Sequence, residues 1–215
     1  MSKRILYLHQ YFKTPEEGGA IRSYHIAKAM VAAGYEVEVI TAGANKNYYK
    51  TDVEGITVHY LPINYTNSFG FMKRIKAFFA YVKAGWKVVK QLPKFDLVYA
   101  TSTPLTVALL ALRIKQKSGT PYIFEVRDLW PEAPIQLGVI NNGFIKSRLK
   151  RLEKKAYTNA ETIVALSPFM QNYIEEIVPQ AKVVCIPNMA DTDFFQKEPK
   201  PIITGSPEEG YQFTI

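Results

Sequence analysis

Apolar and polar positions along the chain follow two periods, and the two periods take turns. "RILYLH" (residues 4–9) is a short apolar run of strand type. "GGAIRSYHIAKAMVAAG" (18–34) spaces its apolar residues as a helix does and stops at glycine, and "YEVEVIT" (35–41) returns to period two before a polar loop at 43–52. "GITVHYLP" predicts a strand, residues 69–91 a long helix, "FDLVYA" a strand and "PLTVALLALRIKQKSG" a helix closed by Gly119. "PYIFEV" is the next strand and 144–158 the next helix. They are followed by a strand "ETIVAL", a helix "SPFMQNYIEEIV" with Ser167 as N-cap and Pro168 in its first turn, and a last strand "AKVVCI". About seven strands alternating with helices predict an α/β fold, a doubly wound parallel sheet with right-handed crossovers and helices on both faces.

Such sheets bind ligands beyond the carboxyl ends of their strands. Three polar loops fall there: "HQYFKTPEEGGAIR" after the first strand, "TSTP" after "FDLVYA" and "RDLWPE" after "PYIFEV". Gly18 and Gly19 precede a helix, where side-chain-free backbone and free N–H groups favour a phosphate; the same pair would also serve as a flexible turn. Neither GxGxxG nor GxxxxGK[ST] occurs, which argues against a dehydrogenase or a P-loop NTPase. Asp128 is the candidate proton acceptor, its pKa expected to rise with partial desolvation. Arg127 would face phosphate and Trp130 offers a flat apolar surface, with Pro131 and Pro134 stiffening the loop. The alternative is an Arg127–Asp128 ion pair that merely closes the strand end. Arg22, Ser102, Thr103, Trp130 and Glu132, on the same three loops, are the candidate substrate contacts.

With 215 residues and 47% apolar content, the chain can bury a core as one domain. Its single cysteine, Cys185, excludes an internal disulfide and any CxxC motif, and with no signal-type or spanning run the expected compartment is the cytoplasm. His9, His25 and His59 lack ligand spacing, so no metal is expected, and no Gly-x-Ser-x-Gly elbow supplies a nucleophile. The net charge of +8 calls for an anionic partner. In residues 70–92, Phe71, Ile75, Phe78, Phe79, Val82, Trp86 and Val89 follow helical spacing. Lys73, Arg74, Lys76, Lys83, Lys87 and Lys90 add six positive charges and no negative one. This is a basic amphipathic helix, suited both to packing on the sheet and to meeting anionic lipid, with "KSRLKRLEKK" as a second basic segment. No nucleic-acid-binding signature accompanies the charge.

The order of "LHQYFKTPEEGGAIRSYHIAKAMVAAGYEVEVIT", "VYATSTP", "FEVRDLWPEAPIQLG", "IVALSP" and "IPNMADTDFF" resembles the amino-terminal half of family 4 glycosyltransferases of GT-B fold, most nearly the bacterial transferases that build surface polysaccharides on lipid carriers. The resemblance covers about residues 3–195 and is most specific in "EVRDLWP" and the Gly-Gly loop. It implies a Rossmann-like domain over 1–187 that binds mainly the acceptor, a linker over 188–210 and, in 211–215, the first strand of a donor-binding domain that the chain does not contain. It further implies a UDP- or GDP-linked sugar donor whose diphosphate meets Gly18 and Gly19, a lipid-linked or polysaccharide acceptor, retention of configuration, no required metal or other cofactor, and little activity for this half alone. Asn188 and Asp191 match the family's Asn-Gly-Val-Asp signature, whose middle pair is here Met189 and Ala190. Many members carry a histidine where this sequence has Arg127 and Asp128. Together with the basic faces, the resemblance implies work at the inner face of the cytoplasmic membrane. Two other readings stand beside it: a non-catalytic module that docks anionic membrane or phosphorylated glycan, and another GT-B enzyme such as a sugar-nucleotide epimerase, against which "EVRDLWP" argues.

Overall fold

The computed structural model describes residues 2–18, 21–66 and 69–188. Gly19, Asp191 and the expected linker and following strand beyond Asn188 lie outside the described residues. Eight strands form one sheet in the order β3-β4-β2-β1-β5-β6-β7-β8. They are β1 (Arg4–Leu8), β2 (Glu36–Gly43), β3 (Tyr49–Val53), β4 (Ile56–Pro62), β5 (Leu97–Thr101), β6 (Tyr122–Val126), β7 (Thr162–Ala165) and β8 (Val183–Cys185). The six helices are α1 (Arg22–Ala32), α2 (Phe71–Val89), α3 (Val107–Ser118), α4 (Glu132–Gln136), α5 (Gly143–Asn159) and α6 (Pro168–Ile177). All seven expected strands are present and mutually parallel. The eighth, β3, is an antiparallel edge strand inside what reads as a polar loop. Four of its five residues are exposed, so no buried face writes a period into the sequence.

Alternate side chains of β1 enter separate cores. Leu6 and Leu8 join a large cluster that also takes residues of α2, α3, α5 and α6, whereas Ile5 and Tyr7 join a smaller one beneath Tyr24 and Ala27 of α1. Burial on both faces is what a parallel sheet requires, and it explains the near-continuous apolar runs. Phe78, Tyr81 and Val88 form the inward stripe of α2, but Phe79, expected in that stripe, is 54% exposed. A Cβ at Gly85 would lie 2.7 Å from Leu110 Cδ2, so glycine there sets how closely α2 approaches α3. The Ser167 hydroxyl caps α6 as expected, accepting from Met170 N at 3.2 Å. Because β1 pairs with β2 on one side and β5 on the other, the winding reverses at β1. The crevice of such a sheet opens there, at the carboxyl ends of β1 and β5.

Candidate active site

Loops from three strand ends and the start of α1 meet at this reversal. The anchor is Glu125, fully buried near the end of β6. Its Oε1 accepts from Arg22 Nε at 2.6 Å, and Oε2 accepts from Thr101 Oγ1 at 3.3 Å and the Tyr7 hydroxyl at 3.5 Å. Arg22 donates its remaining fork to the carbonyls of Ile186 and Pro187 at 2.9 and 2.8 Å. One guanidinium thus ties the start of α1 to the middle of the sheet and to the chain leaving β8, just before exposed Asn188. A buried charge is tolerated only when paired and hydrogen-bonded, so this network fixes the crevice wall.

Ahead of it, Gly18 sits at φ 68° and ψ 169°, and among the described residues nothing beyond its chain neighbours stands within 4 Å of where its Cβ would be. That conformation favours glycine, and the space lets another group approach the backbone. Among the described residues the N-cap, Ile21, supplies no side-chain cap to α1, and no acid lies in its first turn. Its N–H groups and positive end of the dipole therefore suit an anion.

The β5 and β6 loops lock together. The Arg127 amide donates to Ser102 Oγ at 3.0 Å, and Thr103 Oγ1 donates to Asp128 Oδ2 at 2.7 Å. Thr103 holds φ at +89°, an uncommon value for a β-branched residue and of the strained kind that collects at functional sites. Asp128 is exposed, so the expected desolvation does not hold; the buried carboxylate of this strand end is Glu125. Among the described residues Asp128 is partnered by Thr103, and no Arg127–Asp128 ion pair forms. Trp130 is half-buried, its ring edge-on to Phe78 at 6.5 Å, and Glu132 pairs with Lys150 at 3.2 Å. Thr103 and Asp128 are therefore brought together at the crevice, while Trp130 and Glu132 are engaged with α2 and α5.

Two groups went unread in the sequence. His9 and Gln10 follow β1 and are buried, and His9 Nδ1 and Gln10 Oε1 have no hydrogen-bond partner among the described residues. Burial, and secondarily the positive Arg127, pushes His9 down to about 3, which keeps the imidazole neutral. Gln10 also lines a cleft of about 300 Å³ beside the crevice, whose walls include Tyr11, Tyr49, Tyr60 and Tyr65. Tyr49 and Tyr60 are register partners across β3 and β4 and stack at 4.7 Å and 6°, and Tyr11 packs on Tyr65 at 4.7 Å. The only advance signal was the tyrosine content of "NYYK" and "HYLPINY", which becomes a cleft only once β3 is known to fold back.

A doubly wound domain with this reversal and these loops is one half of a GT-B architecture. Residues 17–189 match the model of the glycosyl transferase 4-like domain, and the chain belongs to that family. No protein of curated function matches it. Among solved structures, sucrose-phosphate synthase from Thermosynechococcus elongatus superposes with TM-score 0.67 at 14% identity, over 90% of this chain and 50% of that one. UGT89C1 of Arabidopsis thaliana complexed with UDP gives 0.54 at 11%, over 88% and 50%, and its complex with UDP-L-rhamnose gives 0.53 at 12%, over 87% and 49%. The chain spans about half the length of each of these. At such identities the likeness establishes the fold.

Proposed function

We propose that the chain is the acceptor-side half of a glycosyltransferase that moves a sugar from a UDP- or GDP-linked donor to a lipid-linked or polysaccharide acceptor, with retention, at the inner face of the cytoplasmic membrane. The observation that carries this is the Arg22–Glu125 tie, which sets the open Gly18 backbone and the uncapped start of α1 against the β5 and β6 loops of a family 4 domain. On this reading Gly18, with Gly19 after it, and the helix dipole meet the donor diphosphate, so its charge is met by backbone rather than by a metal ion. Asp128 accepts the proton of the attacking acceptor hydroxyl, and Thr103, hydrogen-bonded to it, fixes its position. The tyrosine cleft takes the acceptor's next sugar, because flat apolar rings with hydroxyl rims suit a sugar's two kinds of surface. The UDP and UDP-L-rhamnose named with the Arabidopsis structures support a nucleoside-diphosphate sugar as donor. Positioning donor against acceptor needs both halves, so this half alone turns over little.

The test is transfer of labelled sugar from UDP- and GDP-linked donors to a lipid-linked acceptor extracted from membranes, run with the gene's full product and with the 215-residue chain. Transfer by the full product that falls about 10²-fold or more in Asp128→Asn supports the reading. Equal transfer by wild type and Asp128→Asn overturns the role of Asp128. Robust turnover by the 215-residue chain overturns the half-site.

A further inference from the structure

Charge is divided sharply across the molecule. Helices α2, α3 and α5 lie side by side on one face of the sheet and together carry fourteen Lys and Arg against a single acid, Glu153, which is buried. The rest of the chain carries thirteen basic and eighteen acidic residues, so the positive balance of the whole protein resides in this one layer. Lys73, Lys76, Lys83 and Lys87 point outward from α2, Arg113 and Lys117 from α3, and Arg148, Arg151, Lys154 and Lys155 from α5.

At the end of this layer nearest the crevice, apolar side chains stand in solvent. Leu137 is 79% exposed, Val139 53%, Phe144 70% and Ile145 45%. Leu137 and Val139 lie on the turn between α4 and α5, and Phe144 and Ile145 on the first turn of α5, the stretch that follows the β6 loop. The turn is held rigidly. Leu137 N bonds to Ala133 O, Val139 N and Ile140 N to Pro134 O, and Asn141 Nδ2 to Gly138 O. The Asn142 side chain caps α5 at Phe144 N and Ile145 N, and Ile140 is buried beneath. Exposed Met72 and Phe79 extend the same character along α2.

We infer that the α2–α3–α5 face is a docking surface for an anionic lipid bilayer, with residues 137–145 as a preformed apolar prong that enters the headgroup region. The cations select an anionic partner. The apolar prong beside them selects one with an apolar interior under its charge, because a nucleic acid would neutralise the lysines and leave the prong in water. No described helix is long and apolar enough to cross a membrane, so the contact is interfacial. The prong and the crevice occupy the same edge of the sheet. Docking therefore brings the crevice to the bilayer surface, where a lipid-linked acceptor presents its glycan, and this last step alone rests on the proposed function.

The test is flotation of the purified chain with vesicles of phosphatidylcholine alone and of equal parts phosphatidylcholine and phosphatidylglycerol. Binding should be at least about tenfold tighter to the acidic vesicles and should weaken with salt. Leu137→Ser combined with Phe144→Ser should lower it about tenfold or more with an unchanged melting temperature, since both side chains are already in water. Equal binding to both vesicle types, indifference to the prong variant, or retention by duplex DNA without vesicle binding would overturn the inference. The experiment contains no sugar donor, so its outcome is separate from that of the transferase assay.

Discussion

The carboxyl edge of the sheet is built in two ways on the two sides of β1. Toward β5 and β6 the strand ends carry polar groups locked to one another: buried Glu125 to Arg22, buried Ser102 to the Arg127 amide, and Thr103 to exposed Asp128. Toward β2, β4 and β3 the edge carries a cleft walled by tyrosines that meet ring against ring. The first arrangement suits chemistry, which needs groups held in place before the substrate arrives. The second suits recognition, where rings offer surface at little cost in geometry. The difference predicts that substitutions on the first side damage the fold along with the site, and substitutions on the second side damage binding alone.

The largest effect should follow from cutting the tie between α1 and β6. Arg22→Leu leaves the Glu125 carboxylate buried without its cation, and urea unfolding should show a loss of about 3–5 kcal/mol. A loss comparable to that of a surface substitution would mean the pair is incidental.

Two buried groups give opposite pH slopes. The folded state depresses His9 to about 3 from 6.5, so its contribution is complete above pH 6.5 and is lost as pH falls toward 3, where the unfolded chain takes up a proton that the fold excludes. Glu153, buried below α4 and α6 and raised to about 7 from 4.5, acts in the other direction. Its neutral form is favoured in the fold, so stability is lost as pH rises from 4.5 through 7. Glu153→Gln should remove that alkaline-side loss and raise stability at pH 8 by on the order of 1–3 kcal/mol, read from denaturation at several pH values. No change at pH 8 would contradict a buried Glu153 whose carboxyl is raised to about 7.

The smallest effect is expected in the cleft. Tyr11→Ala should weaken glycan binding by about 0.5–1.5 kcal/mol, roughly two- to tenfold, and shift unfolding little by comparison with Arg22→Leu. Calorimetry with oligosaccharides checks the first part. A large loss of stability with unchanged binding would reverse the contrast between the two sides.

This contrast also marks what could be read in the residues. "RILYLH", "FDLVYA" and "PYIFEV" announce buried parallel strands because both of their faces are apolar, and the polar groups that follow them had to fall at one edge. Thr103 and Asp128 were legible for that reason. Glu125 was not, because an acid inside an apolar run shows its meaning only when Arg22, 103 residues earlier in the chain, is seen to reach it. His9 looked like an isolated histidine until its burial was known. The tyrosine cleft was hidden by β3, whose exposed residues carry no period and whose pairing with β4 is a tertiary fact.

The crevice between β1, β5 and β6 is proposed to receive the diphosphate of a sugar nucleotide. Titration of isotopically labelled chain with UDP- and GDP-sugars, followed through backbone amide shifts, tests it directly. Saturable shifts are expected at Gly18, Arg22, Thr103 and Asp128, and none at the cavity of about 270 Å³ at the opposite end of the strands, lined by Trp86, Phe95 and Thr120 among others. Shifts confined to that opposite cavity, or none at any of the four crevice residues, would contradict it.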